Sequence, residues 1–253
     1  MIKPVLQSGQ SMTEFIIVLP VLLTLILGGF QFALIYNAKI TLNYATFLAA
    51  RTGAVTNGHI GLMENALARG MAPLYTHCNK SEEVQRARDH VRNEISAGFA
   101  KIDIINPPIT AFSDSTSYRS GTDRLIPNDN LMFRVTNVGT SSGMSIQDAN
   151  LLKVRVTYCY PLYVPYIDRI ITRIMTEPED PDNCPGCRNL YPAGGSSFEN
   201  GCFSNDRFPI NAQAIIRMQS DSSLEARNRA TSGLYQAPAV ANAPLPASPS
   251  ACP

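Results

Sequence analysis

Between Glu14 and Lys39 the chain runs for 24 residues, Phe15 to Ala38, without a formal charge. As a helix this run is about 36 Å long against a hydrocarbon core of about 30 Å, so it predicts a membrane-crossing helix with some tilt. A secretory signal peptide has a shorter apolar core and a small-residue exit. Here Ala33 and Ala38 are followed by Asn37, Lys39 and further helical pattern, with no Ala-x-Ala exit, so the segment is expected to stay in the mature protein. An ordinary anchor leaves Glu14 unexplained. A carboxylate costs on the order of 2.5–3.5 kcal/mol at the centre of a membrane helix and less near the interface, so its presence usually marks a function. Glu14 stands five residues after Gly9.

The order Gly9, Gln10, Ser11, Met12, Thr13, Glu14, then an apolar helix, resembles the type IV prepilin signature. There a membrane peptidase cuts after the glycine and glutamate is the fifth mature residue. Gly9 to Phe15, with Leu19-Pro20 and Ala50-Arg51-Thr52-Gly53-Ala54, is similar more narrowly to the TadE-like pseudopilins of bacterial tight-adherence pili; Leu152 to Pro161 and Ala212 to Ser220 are similar to that family's later strands. The resemblance implies cleavage between Gly9 and Gln10, an assembly role for Glu14, and a pilin-like head on a helical stalk. It implies as partners a prepilin peptidase, other pilins and pseudopilins, the pilus assembly machinery and inner-membrane lipid. The implied location is the bacterial inner membrane, single-pass with a periplasmic head, and the pilus surface after assembly. Conventional type IV pilins begin the mature chain with Phe, whereas Gln10 would begin it here.

Elementary chemistry supports a role for Glu14. A freed ammonium on Gln10 would lie about one helical turn away and would pair with the carboxylate, in the same helix or a neighbouring subunit. Pro20 has no N–H for the carbonyl of Ile16, which predicts a kink or a locally melted turn. Gly28-Gly29 adds a second soft point where another helix can approach.

Read in order, the chain predicts a leader at 1–9, a transmembrane and stalk helix at 10–57, an α+β head with an antiparallel sheet at 58–219, and a disordered Pro/Ala/Ser-rich tail at 220–253. The stalk pattern puts Ile40, Tyr44, Phe47, Leu48 and Val55 near one face with Asn43 and Arg51 elsewhere, and Thr56-Asn57-Gly58 ends it. A short helix follows from Ile60 to Met71. The next starts with Ser81 as N-cap and carries Val84, Ala87, Val91, Ile95 and Phe99 at helical spacing. From Lys101 the period becomes two: Ile102 and Ile104, then Leu131, Phe133 and Val135, then Leu152, Val154, Val156 and Tyr158, then Ala212, Ala214, Ile216 and Met218. Ile167 to Met175 reads as a short apolar helix or a lip packed near the membrane.

Six cysteines are present: Cys78, Cys159, Cys184, Cys187, Cys202 and Cys252. In an exported chain an even count reads first as disulfides, with 15 possible pairings for six cysteines. Cys252 lies in the tail, leaving the other five as candidates for the head. Cys184-Pro185-Gly186-Cys187 is alternatively a redox dithiol, or with Cys202 a partial zinc set, although the second Cys-x-x-Cys of a zinc ribbon is missing.

Composition argues against nucleic acid: 21 Lys and Arg balance 20 Asp and Glu, without a basic block. Enzyme signals are poor, and no cofactor or metal is expected. Gly139-Thr140-Ser141-Ser142-Gly143 fits a nucleophile elbow only if a strand precedes it and a substantial helix follows. His59, His77 and His90 have no convincing sequence partners and read as surface residues. The preferred function is a minor pilin or pseudopilin acting in pilus assembly and adhesion. The alternative is an uncleaved single-pass protein whose disulfide-stapled head binds a partner or surface.

Overall fold

The computed structural model describes residues 10–77, 80–114, 117–176 and 197–228. The fold is α+β: a long apolar N-terminal helix followed by helices and antiparallel sheet. Helix α1 runs from Gln10 to Val55, α2 from Ile60 to Tyr75 and α3 from Ser81 to Ser96. Strands β1 (Ala100–Asn106), β2 (Tyr118–Ser120) and β3 (Asp123–Ile126) follow, then the one-turn helix α4 (Ile146–Ala149) and the long strand β4 (Leu151–Pro161). Helices α5 (Ile167–Thr176) and α6 (Ser197–Phe203), strands β5 (Arg207–Arg217) and β6 (Ser222–Ser223), and helix α7 (Leu224–Asn228) complete the described chain.

The described residues fall into two compact units, one drawn from residues 10–37, 160–176 and 197–209 and the other from 38–159 and 210–228. In the second, α1 turns a face of small residues inward: Ala38, Leu42, Ala45, Ala49 and Ala54 are buried. Small side chains let α2 come close. A Cβ on Gly70 would stand 2.6 Å from the Cα of Ala45, and one on Gly53 would stand 2.7 Å from the sulfur of Met63. Ile40, Tyr44, Phe47 and Val55 do share a face, as the pattern predicts, but that face is exposed. Arg51, expected elsewhere, lies on it too, because 44, 47, 51 and 55 are spaced by three and four. Asn57 and Gly58, both at positive φ, then end the helix as expected.

The principal sheet has the order β1-β4-β5, with β1 antiparallel to β4. Leu152, Val154, Val156 and Tyr158 are all buried as expected, although Thr157 and Cys159 of the opposite face are buried too, and Val91 of α3 is fully buried as well. Strands β2, β3 and β6 form a second, smaller sheet, beside a core of Phe112, Ile126, Leu131, Ile146 and Ala149 against which Leu224 packs.

Several local expectations need correction. Lys80, not Ser81, occupies the N-cap of α3, and Ser81 begins the helix. Helix α2 continues past Met71 through Pro73 to Tyr75. A proline in a last turn removes one N–H, and the Thr76 hydroxyl donates to the Ala72 carbonyl at 2.8 Å beside it. Leu131–Phe133 is a 3-10 turn rather than a strand, entered through Asn130 at φ 51° and followed by Arg134, whose Nη2 is 2.6 Å from Asp129. Three alternating residues are too few to tell a period of two from a period of three. Only Leu131 of that trio is buried, while Phe133 and Val135 are exposed.

Residues 221–228, assigned by sequence to the tail, form β6 and α7. Polar ties hold them where apolar residues are few. The Asn57 side-chain amide donates to the Asp221 carbonyl at 2.7 Å, the Asn128 N–H donates to the Asp221 carboxylate at 2.8 Å, and Arg227 donates to the Ile104 carbonyl at 2.8 Å and to that of Pro107. Burial pushes the Arg227 guanidinium below its ordinary pKa.

Candidate assembly site

Helix formation explains the first half of the site. Gln10 begins α1, so Gln10 and Glu14 are four residues apart on one helix, about 6 Å along its axis. Gly9, the other half of the expected cleavage site, lies outside the described residues. Glu14 is exposed. The helix is assigned without interruption across Pro20, so no turn is melted there. At Val21 the carbonyl accepts from the Thr24 hydroxyl at 2.8 Å. A Cβ on Gly28 or Gly29 would meet nothing within 4 Å, which leaves this stretch open to another helix.

From Phe15 to Tyr36 the helix exposes large apolar side chains on all sides; Leu25 is 71 % exposed. Among the described residues α1 is the one helix long and apolar enough to cross a membrane. An all-round apolar surface is what lipid or a helix bundle accepts and what water does not.

Gln31 is the exception within the run and was passed over in the sequence. It is fully buried, and its Oε1 accepts the backbone N–H of Tyr163 at 3.2 Å and of Val164 at 3.0 Å. An uncharged polar residue inside a membrane-length run was the available signal, since such a group needs a partner there.

Cys159 in β4 and Cys202 in α6 are buried and disulfide-bonded. Cys202 is thereby removed from the alternative zinc set. Cys78, Cys184, Cys187 and Cys252 lie outside the described residues.

A buried polar cluster was also missed. Tyr158 of β4 donates its hydroxyl to the Glu94 carboxyl of α3, Tyr75 of α2 hydrogen-bonds the Tyr158 hydroxyl, and His90 Nε2 is 3.7 Å from the other oxygen of Glu94. The rings of His90 and Tyr75 meet edge-on, centroids 4.7 Å apart. His90 therefore has partners and is only half-exposed, contrary to the surface reading. Burial, then the neighbouring Tyr75 and Glu94, raise the Tyr158 pKa well above its ordinary value. The buried hydrogen bonds of the cluster tie two helices to a strand, which gives it a structural role.

The Gly139–Gly143 motif is a turn wrapped on Asp114. Its carboxylate accepts the Ser141 N–H at 2.8 Å and the Ser142 hydroxyl at 2.5 Å. The serine next in the motif, Ser141, thus has a backbone partner and no preceding strand, and the elbow reading is set aside.

With Glu14 at the head of an exposed apolar helix, comparison with known families bears on this part of the chain. Residues 9–51 match the TadE-like protein family. The TadE-like segment takes in Gly9, Gln10, Glu14, the entire apolar run and most of α1, and it ends at Arg51 on the exposed face. The match does not extend to the two later strands. No curated protein and no solved structure matches the chain.

Proposed function

We propose that this chain is a minor pilin or pseudopilin of a tight-adherence pilus, a structural subunit rather than an enzyme. The observation that carries the reading is the TadE-like match from Gly9 onward, with Glu14 at the start of a helix exposing apolar side chains all round. In this reading a prepilin peptidase cuts between Gly9 and Gln10. The mature helix is held in the inner membrane with its C-terminal part in the periplasm, until the assembly machinery moves it from lipid into a bundle of like helices. Glu14 pairs with the new ammonium of Gln10, on its own helix or a neighbour's, and so sets the axial register of the incoming subunit. The exposed face of Ile40, Tyr44, Phe47 and Val55 extends the bundling surface past the apolar run. Its partners are other pilins and pseudopilins, and its output is pilus assembly and surface adhesion.

Intact-mass measurement of the membrane-extracted protein tests the processing step. A chain beginning at Gln10 is expected in cells with the cognate peptidase, and Gly9→Leu should block its appearance. Recovery of the intact leader in those cells would overturn the reading in favour of an uncleaved anchor.

A further inference from the structure

We propose that residues 160–176 form a second membrane contact, lying in the headgroup layer of the leaflet at the far end of the α1 span. This rests on the membrane-anchored reading above and goes beyond it.

Gln31 sets the depth. It lies 17 positions after Glu14, about 26 Å along the helix axis, which is close to the far edge of a hydrocarbon layer about 30 Å thick when Glu14 marks the near edge. The N–H groups of Tyr163 and Val164 bond to Gln31 in the same compact unit, so the loop after β4 is fixed to α1 at that level.

The segment has the chemistry of an interface. Tyr160 and Ile167 point inward and are buried, whereas Tyr163, Ile170 and above all Tyr166, 73 % exposed, face out. Tyr166 is held at φ 70°, a left-handed conformation that is unfavourable for a bulky residue. Strain that exposes an aromatic ring to water gains nothing there. At a headgroup layer, where the amphipathic tyrosine ring is favoured, it gains a contact. Helix α5 places Ile170, Ile171 and Met175 on one side, and Asp168, Arg169, Thr172 and Arg173 on the other. Arg169 and Arg173 are exposed. An apolar side beneath and arginines above suit a helix lying in the plane of the interface beside lipid phosphates.

The chain has no tryptophan, so Tyr166→Trp introduces a single fluorescent reporter. The full chain is reconstituted in phosphatidylcholine vesicles containing phosphatidylglycerol, with bromine placed on the acyl chains either near the headgroup or near the methyl end. Leu25→Trp, in the middle of the run, serves as the reference. The Tyr166→Trp variant is expected to lose more emission to shallow bromine, and Leu25→Trp to deep bromine; Tyr163→Trp should repeat the shallow pattern if Tyr166→Trp misfolds. No quenching of Leu25→Trp would overturn the membrane reading itself. Quenching of Leu25→Trp alone, with the Tyr166→Trp and Tyr163→Trp reporters open to aqueous iodide, would overturn the second contact and leave the anchor intact. Reporters shielded from both bromine and iodide would overturn it in favour of cover by another protein copy.

Discussion

Gly70 of α2 rests on Ala45 of α1 so closely that a Cβ on Gly70 would stand 2.6 Å from the Ala45 Cα. The obstructing atom is backbone and cannot rotate aside. Replacing a helical Gly ordinarily gains up to about 1 kcal/mol in propensity, but overpacking costs about 1–3 kcal/mol and a β-branched residue sits at the upper end. Gly70→Val is therefore expected to lower the melting temperature by about 4–8 °C in detergent, by circular dichroism. Gly28→Ala, whose Cβ meets nothing, should not lower it.

Removing the Tyr158 hydroxyl leaves the buried Glu94 carboxyl with one donor fewer. Tyr158→Phe should destabilise the protein by about 1–3 kcal/mol in urea unfolding at neutral pH. The pH dependence has a definite sign. The folded pKa of Tyr158 is raised, chiefly by burial, above the ordinary 10.0. Above that pH the unfolded chain loses the proton while the folded chain keeps it, so stability falls as pH rises. Tyr158→Phe should flatten that alkaline fall; an unchanged slope would assign it to other groups.

Asp114 gives the opposite sign. The Ser142 hydroxyl, opposed by burial and helped by the Ser141 N–H, lowers its pKa below the ordinary 3.8. Its contribution is complete above that pH and is lost as pH falls through the lowered value. Asp114→Ala should make the 139–144 turn a preferred site of limited proteolysis at neutral pH, where the native protein resists cleavage there.

Loss of the charge at Glu14 separates a pilin from a passive anchor. Glu14→Leu makes the helix more apolar, so membrane insertion should persist, and cleavage at Gly9 should continue. Surface pili and cell adhesion should nevertheless be lost. Cells that carry this variant and still assemble pili would remove the carboxylate from the assembly mechanism.

Residues 221–228 should behave as part of the folded domain. A chain ending at Ser220 loses the Asp221 and Arg227 hydrogen bonds and should melt at a lower temperature than one ending at Asn228. Equal melting temperatures would restore the sequence boundary at 220.

The parts of this fold that were legible in the sequence are those written in apolar periodicity over many residues. The 24-residue run, the alternation through Leu152 to Tyr158 and the inward set from Ala212 to Met218 carry enough repeats to fix their period. Leu131 to Val135 did not. The order of residues from Gly9 to Glu14 was legible as a motif because it is local. Gln31, Glu94 and Tyr158 were not, because each depends on a partner tens of positions or more away, which periodicity does not report. Which stalk face is buried was not legible for a related reason. Large apolar residues usually mark the buried side of a helix, but here close approach of α2 requires Ala and Gly on that side, and Ile40, Tyr44 and Phe47 are left outside.

The ties between the end of α1 and the last described residues have a consequence for the timing of biogenesis. Met218 N–H donates to the Asn150 carbonyl, Gln219 N–H to that of Ala54 and Ser223 N–H to that of Asn57, at 2.8, 2.9 and 3.0 Å. The first helix of this unit is thus closed by one of its last strands. In the proposed pilin reading the apolar run reaches the bilayer early in export, while the strand that completes the sheet emerges more than 150 residues later. Throughout that interval the C-terminal end of α1 lacks these closing partners. In that reading translocation must deliver the chain through Ser223 before the domain can lock, so a product stalled earlier would be left anchored, open and available to quality-control proteases.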